Sequence, residues 1–475
     1  MSSGTPEEYT GVTGVADQGV NPMLDDPNKY YSNGDFAWIL TCSALVLLMV
    51  PGVGFFYSGL ARRKSALSLI FLTLISISVV GFQWFFWGYS LTFAPNGSSY
   101  IGNLDNIGLR KVLAQPSVGS SALPEILFCL YQGMFAAITP ALAIGGAADR
   151  ARVWPVIVFF FVWATIVYDP LAYWTWNPNG WSFKLGGLDF AGGTPVHISS
   201  GAAALAYALM LGKRTGYNKV NGLPYRPHNV THVILGTAFL WVGWFGFNGG
   251  SALAANVRAA MACVVTHISA CVAGFTWCLL DYRLEKKFSA VGFCSGVIAG
   301  LVAITPAAGF VTPWAAVIFG VVGGICCNFA TKIKFLVGID EPLDVFAEHG
   351  VGGIVGNLLT GIFATDYMAA LDGSGPTGTI EGGWVNGHWI QFAYQLADSV
   401  AGFAYAFGMT CIILSLMNLI PGLSIRVSAE EEDLGLDDTQ LGEFAYDYVE
   451  ISRVVGGDAP SSAPSIKGGK TELPA

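Results

Sequence analysis

Charge is what this sequence has least of. Only 12% of its 475 residues are Asp, Glu, Lys or Arg, about half the share that soluble domains carry. A chain with so little solvated surface is neither a soluble enzyme nor a nucleic-acid-binding protein. The net charge of -9 misleads, because the acids gather at the ends: residues 1–35 hold six acids and one base, and residues 421–475 hold eleven acids and four bases. Between them 18 bases and 15 acids remain, so each ionisable group there lies in a loop or serves a purpose.

Three further absences narrow the field. Met1 to Asp35 lacks a basic start followed by an apolar run, so no cleavable leader is expected. The nine cysteines (42, 129, 263, 271, 278, 294, 326, 327 and 411) all fall in apolar stretches and read as packing residues, not as disulfides or a metal knuckle. No carboxylate sits four residues from a histidine on one span: Asp189 to His197 is eight steps and Asp344 to His349 is five, spacings unlike those of helical metal ligands. Neither metal nor cofactor is expected.

What the chain does have is apolar runs and 60 glycines. About 20 apolar residues cross a bilayer core, and long runs without alternation are helices. Eleven spans are expected: 36–60, 65–93, 125–148, 153–173, 190–212, 229–250, 259–280, 288–306, 312–331, 344–365 and 392–420. The eighth and ninth are divided by Pro306 and Pro313, which break helical hydrogen bonding. Fourteen loop bases, among them Arg62, Arg63, Lys64, Arg150, Arg214 and Lys334, fall on one side with the four of the tail, leaving Lys29, Arg110, Lys111, Lys184 and Arg258 on the other. Basic loops stay in the cytoplasm, so the amino terminus is expected outside and the carboxyl terminus inside. The segments are then an extracellular 1–35, a membrane body 36–420, a cytoplasmic tail 421–455 and a disordered end 456–475, rich in Ser, Pro and Gly. Asn96-Gly97-Ser98 is a glycosylation sequon on the expected outer side.

Ionisable residues inside the spans are functional candidates in a membrane. Asp169 precedes Pro170 and Asp398 lies near a helix end, so both read as helix-terminal groups, while His232 and His267 read as packing histidines. That reduces the inner set to Asp189, His197 and His349. The two histidines stand in the fifth span and in the tenth, the fifth of a second set of five. Two five-span groups make inverted repeats, an architecture that places the substrate site where they meet. Aromatic residues are a second signal: Trp174-Thr175-Trp176, Tyr131 with Phe135 four residues on, and Trp241 to Ser251. Ring faces attract small cations by about 0.5–2 kcal/mol.

Across about Gly34 to Tyr446 the chain resembles the ammonium transporters of the Amt/Mep/Rh superfamily, most of all the fungal Mep-type permeases. The resemblance is carried by Pro51 to Gly59, Asp189 to Gly201, Gly243 to Ser251, Ala299 to Ala307, His349-Gly350-Val351-Gly352-Gly353, and by Glu431 to Asp437 with Gly442 to Tyr446 in the tail. It implies ammonium recruitment by Trp176 and Ser251 with the rings of Tyr131 and Phe135, supported by Asp189. It also implies a gate of Phe135 and Phe247 and a pore lined by the twin histidines His197 and His349, with Trp244 beside it. Ammonia would pass neutral and its proton would be relayed. A plasma-membrane homotrimer with one pore per subunit follows from the same resemblance, as does a regulatory tail (Glu432, Gly435, Leu436, Gly442, Glu443, Tyr446) open to a kinase at serines such as Ser452, Ser461 or Ser462. Tyr131 stands where many relatives have Phe. Glu348 adjoins a pore histidine and is expected to face another helix, since neighbours on a helix diverge by 100°. Two other readings stay open: a nutrient sensor, and a neutral-gas channel as in the Rh branch, which would have no need of the outer cation trap.

Overall fold

The computed structural model describes residues 6–9, 23, 25–217, 226–375 and 380–446. Among them there is no strand, only two isolated bridges, Pro116 to Pro124 and Ala151 to Arg426. The helices, in chain order, are α1 (Asn33–Leu60), α2 (Arg63–Phe93), α3 (Glu125–Ala147), α4 (Val153–Leu185), α5 (Gly193–Leu211), α6 (Val230–Gly250), α7 (Val257–Glu285), α8 (Ala290–Ile304), α9 (Pro313–Val337), α10 (Phe346–Phe363) and α11 (Gln391–Leu419). A short α12 (Ala429–Leu434) follows.

Nine of these are long and apolar enough to cross a membrane, or ten if α10 is counted with the short helix Asp366–Asp372, from which it is bent by 104°. The remaining expected span, the eighth, is α8, apolar but only 15 residues long. At 1.5 Å per residue it reaches about 22 Å, short of a bilayer core of about 30 Å. It stops because Thr305 and Pro306 turn the chain in the interior, where Phe190 donates its N–H to the Pro306 carbonyl at 3.0 Å.

Glycine sets how closely the helices approach. A Cβ on Gly236 of α6 would strike the Phe56 backbone of α1, and one on Gly201 of α5 would strike the backbone of Gly350 in α10. Small residues let helix backbones meet where no aqueous driving force pushes them together. α1 thus packs closely on α6, and α5 on α10. Polar groups bury in pairs across these contacts, so Asp169 and Asp398 are not the helix-terminal groups they resemble in sequence. Asp169 lies inside continuous α4, with no exposed surface, and accepts from Gln83 Nε2 at 2.7 Å. Asp398 lies two turns into α11, where it accepts from Ser182 Oγ at 2.5 Å and from Thr194 Oγ1. His267, expected to pack inside, is exposed on α7 beside Trp241 and Phe245.

At one end of the bundle the loop bases form a chain of ion pairs. Arg214 grips Asp340 with two hydrogen bonds of 2.9 and 2.8 Å and reaches Asp149 at 2.8 Å. Asp149 pairs with Arg62 at 3.2 Å, and Arg62 reaches Glu432 of α12 at 3.2 Å. Burial alone would raise the Asp149 carboxyl, but the attraction of Arg214 and Arg62 outweighs it and holds the pKa below the ordinary value. Arg150 is fully buried, its guanidinium spent on the carbonyls of Gly212, Ala148 and Asp340.

Candidate functional site

Between the ends of α3, α4, α5 and α6 lies a cavity of about 360 Å3, bordered by Trp176, Ser251, Gln132, Asp189, Phe190 and Phe310. Trp176 is held in place by its indole N–H, which donates to the Asp189 carbonyl at 3.1 Å. Ser251 Oγ donates to Phe247 O at 2.8 Å, which leaves its oxygen lone pairs as acceptors. The Asp189 carboxylate is occupied elsewhere: it accepts the N–H groups of Gly192, Gly193 and Thr194 at 2.7–2.8 Å, satisfying the bare donors at the start of α5. Tyr131, expected to offer a ring here, does not line this cavity. It is wholly buried, and its hydroxyl donates to the carbonyls of Gly246 and Phe247 at 2.9 and 2.8 Å. Its ring props Phe135 edge-on at 5.0 Å.

Phe135, also expected here, is not among the residues bordering this cavity; it packs behind Trp176 in an aromatic column. Phe135 stands at right angles to Trp176, 6.0 Å away, and its ring lies 4.2 Å from that of Phe247. Beneath them His197 stacks on Phe247 at 5.8 Å and on Trp244 at 5.5 Å, and Trp244 is fixed by its N–H to Thr305 Oγ1 at 3.0 Å. His197 Nδ1 lies 3.1 Å from His349 Nδ1. Both imidazoles are buried, and His197 Nε2 has no hydrogen-bond partner. Two facing Nδ1 atoms share one hydrogen, so in the neutral pair the ring that donates it has a bare Nε2 and the ring that accepts it carries its own hydrogen on Nε2. The column therefore presents one donor and one acceptor.

Each histidine lies in a π turn at the start of its helix, Gly193–Ile198 in α5 and Phe346–Val351 in α10. Such single wide turns are uncommon and cluster at functional sites. A carboxylate caps the start of each of these helices. Asp344, five residues before His349, has a left-handed backbone (φ 59°) and pairs with Lys334 at 2.7 Å. The counterpart of Asp189 is Glu341, whose Oε1 accepts the N–H groups of Leu343 and Val345 at 3.4 and 3.1 Å. The signal was an equal offset, since Asp189 and Glu341 each lie eight residues before their histidine. Also missed were Thr194 and Asn357, which tie the two histidine helices together: Asn357 Nδ2 donates to Thr194 Oγ1 at 2.8 Å.

A sequence model of the Ammonium Transporter Family matches residues 37–446. Ammonium transporter 1 of Schizosaccharomyces pombe is 61% identical over 430 residues, 90% of this chain and 86% of that protein. Ammonium transporter MEP2 of Saccharomyces cerevisiae is 51% identical over 443 residues, 92% and 88% of the two chains. The chain belongs to the ammonium transporter family. The crystal structure of Candida albicans Mep2 superposes with a TM-score of 0.85 at 51% identity, covering 92% of this chain and 95% of that one.

The tail that resembles those of family members is docked. Ser428 and Glu431 form a reciprocal cap at the start of α12. Glu432, with no exposed surface, accepts from Arg62 at 3.2 Å, Arg426 at 3.0 Å and the Thr215 N–H at 2.8 Å. Asp437 accepts the N–H groups of Leu67 and Ser68 at 3.0 and 2.8 Å, and Gly435 (φ 114°) lies against Lys64. Leu436 is buried, whereas Gly442 and Glu443 are exposed. Tyr446 stacks on His232 at 6.2 Å and receives Asn229 Nδ2 at 3.0 Å. Asn96 is exposed after α2. Ser452, Ser461 and Ser462, like the whole of 447–475, lie outside the described residues.

Proposed function

We propose that this chain carries ammonium across a membrane: it recruits the ion in the Trp176–Ser251 cavity and passes it as ammonia along the His197–His349 column, with the proton handed across the imidazole pair. The observation that carries this reading is the 3.1 Å contact between two buried Nδ1 atoms directly beneath a closed pair of phenyl rings. An ammonium ion is attracted to the Trp176 face and can donate to Ser251 Oγ. It would enter the dry column only at a desolvation cost on the order of ten kcal/mol or more. Neutral ammonia avoids that cost, and it matches a wall with one donor and one acceptor. Imidazole takes and gives protons near neutral pH, so the pair is suited to carry the charge separately. Asp189 and Phe135 then act by position, one capping α5 and the other closing the aromatic column.

Eleven spans in two inverted groups of five plus one are supported by the packing of α1 on α6 and α5 on α10, and by the paired π turns. In this reading α8 and bent α10 count as spans. The ion-paired basic loops favour the cytoplasm for their end of the bundle, which puts residues 1–35 outside and the tail inside. A plasma-membrane homotrimer and a tail that regulates opening, with kinase action on it, rest on the family resemblance and on the docking of Glu432. Replacing either histidine tests the core of the reading: uptake of ammonium in vesicles should lose its selectivity or cease in His197→Ala and His349→Ala. Unchanged selective uptake in both would refute it.

A further inference from the structure

On a regular helix, consecutive side chains diverge by 100°, and Glu348 lies toward α8, near Ser295. The π turn at Phe346–Val351 packs more residues into one turn, which narrows that divergence. As a result Glu348 and His349 line the same small cavity, on the side of the imidazole pair away from the phenyl gate. The rest of its wall is Val53, Phe56, Leu142, Leu240, Ile298 and Trp244, with Tyr57. It leaves about 10 Å3 for the centre of a guest, roughly the room of one water or ammonia. Tyr57 spends its hydroxyl hydrogen on Leu142 O at 2.8 Å. Glu348 is therefore the group in this wall, besides the imidazole, suited to take up and release a proton.

We propose that Glu348 is the proton-transferring residue of the inner half of the pore, a role that rests on the transport reading above. A proton leaving the imidazole pair breaks an N–H bond and forms an O–H bond on the Glu348 carboxylate. Ammonia in the cavity then takes it, an N–H bond forming as the O–H bond breaks, so that ammonium is remade and the carboxylate regenerated. One ammonia and one proton enter this step, and one ammonium leaves. The charged or titratable groups facing Glu348 are Tyr57 of α1, Cys294 of α8, Cys327 and Lys334 of α9, and Glu341 and Asp344 just before α10. Lys334, the one cation among them, is already paired with Asp344.

The test uses the full chain in proteoliposomes pulsed with ammonium, reading current and internal pH together. Glu348→Gln keeps the shape but cannot cycle a proton. Its current should fall on the order of a hundredfold, the usual worth of a positioned acid–base group, while internal alkalinisation by neutral ammonia persists. Glu348→Asp should restore current with a displaced pH profile. Current and pH profile unchanged in Glu348→Gln would overturn the proposal. So would equal loss of current and alkalinisation in both variants, which would make the carboxyl only a structural group of the cavity wall. If the unmodified chain passes ammonia without current, the proton route itself fails, and that failure is seen without any variant.

Discussion

Glu432 offers a direct measure of how firmly the tail is held. Its carboxylate has no exposed surface and bonds two guanidinium groups and one backbone N–H. Replacing it by Gln removes the charge but keeps an oxygen for Thr215. Breaking a buried ion pair typically costs 3–5 kcal/mol when the surviving partner is stranded. Here neither arginine is stranded: Arg62 keeps Asp149 at 3.2 Å, and Arg426 keeps the carbonyls of Leu211 and Lys213 at 2.6 and 2.7 Å. The loss is closer to one or two charge-assisted hydrogen bonds, about 3 kcal/mol, or roughly a hundredfold in the docking equilibrium. Because α12 touches the loops and not the helix core, the cost falls on local release and leaves global stability nearly unchanged. Amide hydrogen exchange over residues 428–446 should therefore accelerate about a hundredfold in Glu432→Gln, with Glu430→Gln, an exposed neighbour, as the unaffected control. Equal protection in Glu432→Gln and the unmodified chain would refute the reasoning.

Tail docking should also weaken as pH falls. His228 Nδ1 lies 3.1 Å from the Ala61 carbonyl and so carries the hydrogen, which leaves a bare Nε2 to accept the Tyr446 hydroxyl at 3.2 Å. Burial pushes the His228 pKa below its ordinary value, against the upward pull of the Ala61 bond. A depressed folded value means the contribution is present above about 6.5, the unfolded value, and is lost as pH drops toward the folded one. Exchange of the Tyr446 region should be faster at pH 5.5 than at 7.5, and flat behaviour would count against the latch; Asp149 and Asp340, both held low by Arg214, stay ionised throughout. Gly201→Ala should lower the melting temperature and impair uptake, since its Cβ would meet the Gly350 backbone and overpacking costs about 1–3 kcal/mol. Normal melting and transport in that variant would show that α5 and α10 can separate without harm.

The helices were legible because apolar runs and charged loops alternate along the chain, and observed ends fall close to those expected, as at Val230–Gly250 against 229–250. The π turns were not, since no residue type distinguishes a turn bonded five residues on from one bonded four. That gap is why the sequence points Glu348 at another helix and not at the cavity it shares with His349. Charge arithmetic also left too few groups inside. It reduced them to Asp189 and two histidines, yet Asp169, Glu348 and Asp398 are each at most 3% exposed. The partners of Asp169 and Asp398, which are Gln83, Ser182 and Thr194, come from helices remote in sequence, and only the fold brings them together. Scarcity of charge therefore marks candidates without ranking them. What ranks them is the partner. Asp189, Asp398 and Glu341 meet fixed donors, so their acceptor capacity is already used in holding helix starts. His349 and Glu348 border a cavity with room for one small molecule, and a buried acid–base group facing a cavity can do chemistry that a capped one cannot.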